Sequence, residues 1–248
     1  MITKKKKLSK KEIKEDKLVS FMFRIEHFYE KYKSKLMLYG GILIVAIAAA
    51  YFYINKQDEL NNRASLELSR IMDIFDSGSY LEAIEGRQGT NIIGLKRIVE
   101  EYGSTENGET AKIYLAGAYS YLGNYEDAFK YYEDYSGSIN IYKASALAGM
   151  AGYYATKNKY EKAADFYKNA ANIVEVNAQN PDYLLNSALN YYNAGDKDEA
   201  RILFEKIKED YSTSSARREV DKYLALVNGW IYENQVKQLS LAGQADLL

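Results

Sequence analysis

The sequence predicts an all-α chain in which one membrane-crossing helix near the amino terminus is followed by a solenoid of paired helices. Three observations carry this expectation. Residues 36–54 run nineteen residues without a charge, the 248 residues hold a single proline, Pro181, and three stretches of the body repeat about a shared alanine. A helix interior tolerates proline least of all residues, so its scarcity favours long helices over a sandwich of strands and turns.

The formal charge of -1 hides an asymmetry. Residues 1–35 carry twelve Lys or Arg against five Asp or Glu, which leaves the remainder at about -8. Residues 1–17 read as a basic cytoplasmic tail. Over residues 18–35, Leu18, Met22, Ile25, Phe28, Tyr29 and Tyr32 recur at helical spacing between charges, the pattern of an amphipathic juxtamembrane helix lying on a membrane surface. It carries His27, the one histidine, which without a second histidine or a cysteine reads as an interfacial side chain. Base-stacking aromatics do not interleave the lysine cluster, so membrane lipid met through residues 18–54 is the expected partner, and nucleic acid is not.

The uncharged run from Leu36 to Ile54 is long enough to cross, because about twenty helical residues span a hydrocarbon core of roughly 30 Å. Tyr39 at one end and Tyr51, Phe52 and Tyr53 at the other would meet the two interfaces. Two readings compete. Ala48, Ala49 and Ala50 form an A-x-A cleavage pattern, as a removable signal sequence would require. The long region ahead of the run, and apolar character continuing through Ile54, favour a transmembrane helix over residues 36–54. Lysines crowd the amino-terminal side, with only Lys56 and Arg63 soon after, so the positive-inside bias places the amino terminus in the cytoplasm and the body outside it.

The body repeats itself. "YLAGAYSYLGNYEDAFKYYEDY", "GMAGYYATKNKYEKAADFYKNA" and "NSALNYYNAGDKDEARILFEKI" align on Ala128, Ala163 and Ala200. A degenerate copy, "ASLELSRIMDIFDSGSYLEAIE", places Gly78, Tyr80 and Ala83 as Gly123, Tyr125 and Ala128 are placed. The segments resemble the tetratricopeptide repeat (TPR), a helix-turn-helix unit of 34 residues. Leu115, Ala116 and Tyr119 match its first helix, Gly123 its turn, and Ala128 and Tyr132 its second helix. The later copies offer Met150, Ala151, Tyr154, Asn158, Ala163 and Tyr167, then Ser187, Ala188, Tyr191, Gly195, Ala200 and Phe204. Lys112, Leu147 and Leu184 depart from the signature tryptophan, and the terminal proline is absent.

The expected organisation is connecting helices with the degenerate repeat at 55–106, three TPR-like repeats at 107–212, a capping helix at 213–238 and a flexible tail at 239–248. Glycines 86, 89 and 94 lack the spacing of a dinucleotide fingerprint and read as a flexible break before one more helix near Leu95 to Tyr102. Tyrosine pairs 131 and 132, 153 and 154, and 191 and 192 are expected to divide, one member entering the core and the other facing solvent.

A catalytic constellation is not expected, because the body holds neither His nor Cys and no phosphate-binding loop. Asp196 and Asp198 lack the further ligands of a calcium loop; Asp196 and Asn124 read as helix N-caps instead. Neither cofactor nor metal is expected. The resemblance to TPR domains implies a partner groove lined by first-helix residues outside the packing set. These are Ile113, Gly117, Ser120 and Tyr121 in the first repeat, Ala148, Gly152 and Ala155 in the second, and Leu185, Leu189 and Tyr192 in the third. Small and apolar residues there would admit a peptide by shape, although the same residues could serve only to pack neighbouring helices.

The layout as a whole, from "EKYKSKLMLYGGILIVAIAAAYFYINK" through "ASLEL" to the repeats, resembles the YfgM-like inner-membrane TPR family, the ancillary subunits of the SecYEG translocon. That resemblance implies a single-pass protein of the bacterial inner membrane whose repeats stand in the periplasm. Its implied partners are Sec translocon subunits, periplasmic chaperones or client chains. A structural scaffold in an envelope secretion or motility machine is the competing expectation.

Overall fold

A computed structural model describes residues 10–229, with side chains from residue 19 onward. The expected flexible tail, the last part of the capping helix and most of the basic tail lie outside the described residues. The chain divides into two compact units, Met1–Gln57 and Asp58–Leu248. Helix α1 (Lys10–Asp76) contributes to both.

In the first unit the described residues are helical throughout. The expected juxtamembrane and transmembrane segments, 18–35 and 36–54, lie within α1. Its apolar side chains are exposed all round the helix, among them Leu38, Ile44, Val45, Ile47 and Phe52. A helix that presents apolar groups on every side suits an apolar solvent, since the same surface would be costly in water. It is the one helix among the described residues that is long and apolar enough to cross a membrane.

The second unit is built of helix pairs. The last turns of α1 pair with α2 (Tyr80–Glu85), and a single helix, α3 (Leu95–Tyr102), follows. Then come α4 (Glu106–Tyr121) with α5 (Tyr125–Glu133), α6 (Asn140–Thr156) with α7 (Tyr160–Ile173), and α8 (Asn180–Ala194) with α9 (Lys197–Asp210). A further helical stretch covers 217–229. Each helix from α4 to α9 packs on the next, and α4 also meets α6, which is the contact order of a solenoid.

The same hairpin turn recurs four times. Gly78, Gly123, Asn158 and Gly195 all take left-handed φ, at 80°, 78°, 57° and 93°. In each turn the following residue's N–H reaches back five positions: Ser79 to Ile74, Asn124 to Tyr119, Lys159 to Tyr154 and Asp196 to Tyr191. The turn residue's own N–H donates three positions back, which completes a Schellman motif and satisfies carbonyls that the helix end leaves open. Glycine stands at three of these positions because a Cβ is strained at positive φ, and asparagine stands at 158 because its short polar side chain, here accepting from the Tyr160 hydroxyl, tolerates that region better than other side chains.

Beyond the turn, a small residue lets the second helix close on the first. Ala83, Ala128, Ala163 and Ala200 are all buried. Asp196 caps α9 by accepting from the Glu199 N–H at 3.1 Å. Asn124 does not cap its helix; its amide donates to Asp127 at 2.7 Å instead. Pro181 opens α8, where its missing N–H costs nothing.

Two apolar cores result. One joins Leu68, Ile71 and Ile74 of α1 to Ile84, Leu95, Ile98 and Leu115. The other joins α8, α9 and the stretch 217–229 through Leu184, Phe204, Ile207, Val220 and Val227. The glycine-rich insert before α3 is a tight loop closed by a backbone bridge between Gly86 and Ile93. Gly86 has a φ of 89°, and a Cβ on it would lie 2.6 Å from the Gly94 nitrogen.

The departure from the signature tryptophan has a structural account. Lys112 is buried, with its ammonium 2.8 Å from Glu109 and 2.7 Å from Asp134. Glu109 also accepts from the Ser136 N–H at 2.8 Å, and Glu106 from the Ser138 N–H at 3.0 Å. A polar clamp on α4 therefore holds the α5–α6 connection where an aromatic plug would otherwise sit. Burial alone would lower the Lys112 pKa, but hydrogen bonds to Asp134 and Glu109 outweigh it and hold the ammonium above its ordinary value.

Candidate functional site

A hollow of about 630 Å³ opens between α4 and α6, with the start of α8 at one side. Seven of the ten residues expected to form a groove line it. Ile113, Gly117, Ser120 and Tyr121 come from α4, and Ala148, Gly152 and Ala155 from α6. Leu185, Leu189 and Tyr192 do not reach it. Leu185 is buried in the second core and Leu189 and Tyr192 pack against that core. The Lys197 ammonium stands 3.1 Å above the centre of the Tyr192 ring, and donates to the Tyr192 carbonyl at 2.7 Å.

The third repeat falls away for a reason visible in its own residues. Where α4 and α6 place Gly117 and Gly152, α8 places Leu189. Where α5 and α7 place Tyr132 and Tyr167, α9 places Phe204, which is fully buried and stacks on Tyr223 at 5.5 Å. A larger first-helix residue and an aromatic without a hydroxyl turn this register into core.

Residues outside the expected set complete the hollow. Tyr132 and Tyr167 reach it from the second helices, and Phe75, Gly149 and Tyr183 contribute from α1, α6 and α8. The sequence pattern assigns Tyr132 and Tyr167 to packing, which they also do. What marks them out is that both keep a hydroxyl beside a glycine, whereas the third repeat places Phe204 and Leu189 at the equivalent positions. The expected division of the tyrosine pairs fails, because no member of the three pairs is exposed. Tyr131 stacks on Tyr119 with centroids 5.8 Å apart, and Tyr191 donates to Asp165 at 2.5 Å.

Hydroxyls dominate the polar lining. Tyr183 donates to Gln179 at 2.5 Å, and Tyr132 shares a hydrogen bond with Ser120. Burial pushes the Tyr132, Tyr167 and Tyr183 phenols upward, and burial together with a hydrogen bond to Tyr142 pushes Tyr114 up to about 12. These groups stay neutral at physiological pH. Among the described residues that line the hollow none is Asp, Glu, Lys, Arg or His. At the rim, Tyr121 is 67% exposed and stacks on Tyr80, centroids 4.4 Å apart and planes 8° from parallel. No cluster of His, Cys, Asp or Glu suited to a metal ion occurs among the described residues. The lining offers a shaped apolar surface with hydrogen-bonding hydroxyls and, among the described residues, no nucleophile paired with a base.

Residues 182–214, which cover most of α8, the turn and α9, match the family model described as the tetratricopeptide repeat. The fold is a TPR-type solenoid. A crystal structure of nearly identical TPR-like repeats, described as from a kinesin light chain of Podosopora anserina, superposes with a TM-score of 0.54. The alignment covers 74% of this chain and 93% of that one at 16% identity, a likeness of fold alone. No curated protein matches the chain. TPR solenoids as an architecture present extended surfaces to protein partners.

Proposed function

We propose that this protein is a membrane-anchored adaptor whose TPR body binds protein segments in the hollow between α4 and α6. On this reading 36–54 is a retained anchor, the amino terminus is cytoplasmic and the repeats stand in the periplasm of a bacterial inner membrane. The adaptor acts at the Sec translocon, with periplasmic chaperones or on emerging envelope proteins. The observation that carries the reading is the tyrosine-lined hollow without a charged side chain in its lining, in a chain whose α1 exposes apolar side chains on all sides. A binding body tied to a membrane meets its partners at a raised local concentration.

Photocrosslinking in intact membranes tests it, with a photoreactive residue replacing Tyr121 at the rim. Capture of translocon subunits, chaperones or nascent envelope proteins is the expected result. Capture of one fixed structural partner alone would favour an envelope scaffold and overturn the adaptor. The anchor has its own test in the mass of the mature protein, since a chain beginning near Tyr51 would show that the apolar run is removed.

A further inference from the structure

Two of the three repeats share a device that the third has lost. Gly117 on α4 lies beside the hydroxyl of Tyr132, where an added Cβ would come within 4.0 Å of that oxygen. One repeat on, Gly152 on α6 lies beside the hydroxyl of Tyr167, at 3.5 Å by the same measure. In each case a missing side chain on the first helix lets a hydroxyl from the second helix surface in the hollow. The third copy places Leu189 and Phe204 at these positions, so the hydroxyl is absent, and Phe204 lies in the core against which Leu189 packs.

We infer that the hollow contains two equivalent subsites, Gly117 with Tyr132 and Gly152 with Tyr167, which select an uncharged polypeptide segment with small aliphatic side chains. This rests on the proposal that the hollow is the partner site. The selection follows from what the lining lacks as much as from what it holds. A carboxylate or ammonium entering would shed water and meet no counter-charge among the lining residues, the nearby Lys157 being paired with Glu126, and an unpaired charge is the costliest side chain to bury. A small aliphatic group meets glycine Cα and tyrosine ring carbon, while the partner's peptide groups exchange hydrogen bonds with phenol hydroxyls that act as donor or acceptor. Neutral lining thus matches a neutral occupant, and the match ends where Leu189 closes the register.

The test pans a random peptide library displayed on phage against the full chain in lipid nanodiscs. Recovered peptides are expected to have uncharged centres, and to bind with an affinity that moves less than about twofold with added salt, as screening has no ion pairs to weaken. Replacing a central residue by Glu or Lys should weaken them by at least about a hundredfold, the scale set by an unpaired buried charge. Gly117→Leu and Gly152→Leu, which copy the third repeat, should each cost at least about tenfold through loss of one apolar subsite. Gly117→Ala and Gly152→Ala, whose Cβ atoms meet only ordinary contact distances, keep the fold intact if the leucine variants fail to fold, and should weaken binding by a smaller factor. Tyr192→Phe, in the closed register, should leave affinity unchanged.

Recovery of acidic or basic peptides, steep salt dependence, no recovered peptide, or indifference to the glycine variants would each overturn the inference. If any of these occurs while Tyr121 still crosslinks to partners in membranes, the adaptor stands and only the two neutral subsites fall. If crosslinking captures nothing either, both readings fall together.

Discussion

The ring of Tyr132 lies so close over Gly149 that a Cβ added to the glycine would come within 2.2 Å of Cε2. Helix α6 can approach α5 this closely only because residue 149 has no side chain, and that approach fixes the Tyr132 hydroxyl in the hollow.

Gly149→Ala must therefore displace the ring. Overpacking of this kind costs about 1–3 kcal/mol, and each kcal/mol lowers Tm by roughly 2–4 °C in a body of this size. Gly117→Ala meets Phe75 at 3.8 Å and Tyr132 at 4.0 Å, so it should be neutral or stabilise by up to about 1 kcal/mol through helix propensity. Thermal unfolding of the full chain in detergent, followed by circular dichroism, separates the two. Equal midpoints for both variants would contradict the packing described.

Lys112→Met removes one partner of a buried pair and leaves Glu109 with only its bonds from Ser136. We expect a loss of about 3 kcal/mol, the low end for breaking a buried ion pair. The double variant Lys112→Met with Glu109→Gln should recover part of it, which a double-mutant cycle in urea unfolding would measure. Strict additivity of the two changes would argue against the clamp.

Alkaline pH should unfold the body in a defined window. Burial raises Tyr114, helped by its hydrogen bond to Tyr142, and raises Tyr135 beside Glu106 and Glu109, each from 10.0 to about 12. A folded pKa above the unfolded value means that the neutral group's contribution is fully present below pH 10. It is then lost as pH rises from there to about 12. Helical dichroism and phenolate absorbance followed together should show a fraction of the tyrosines ionising only as the helices melt. Complete phenolate formation with the dichroism unchanged would refute it.

At the third of the four turns, Asn158 occupies the left-handed position that glycine holds in the other three. Asn158→Gly should change stability by no more than a few tenths of a kcal/mol, because relief of strain offsets the loss of the 2.7 Å bond accepted from Tyr160. Asn158→Val should cost about 1–2 kcal/mol, the penalty for a side chain forced into that region. A valine variant as stable as wild type, read from urea midpoints, would exclude the Schellman geometry.

Much of this architecture was legible in the chain because it depends on local, periodic signals. The turn residues 78, 123, 158 and 195 and the alanines 83, 128, 163 and 200 repeat at fixed register, and each answers a backbone or packing demand that only glycine, asparagine or alanine meets cheaply. Helix α3 was expected near Leu95 to Tyr102 and spans those residues. The polar clamp was hidden, since Lys112 read alone is a departure from a pattern and gains its meaning only from Asp134 and Ser136, more than twenty residues away.

By itself, then, the sequence determined the helical pairs, their turns and the apolar helix, all of which follow from spacing along one chain. Tertiary structure alone decided which face stays open. Gly117, Gly152 and Leu189 occupy equivalent positions, and the difference between hollow and core depends on what the neighbouring helix supplies across the gap: the Tyr132 and Tyr167 hydroxyls in two cases, and in the third Phe204 backed by Tyr223. Packing complementarity is a property of side chains brought together from different helices, and spacing along one helix does not contain it.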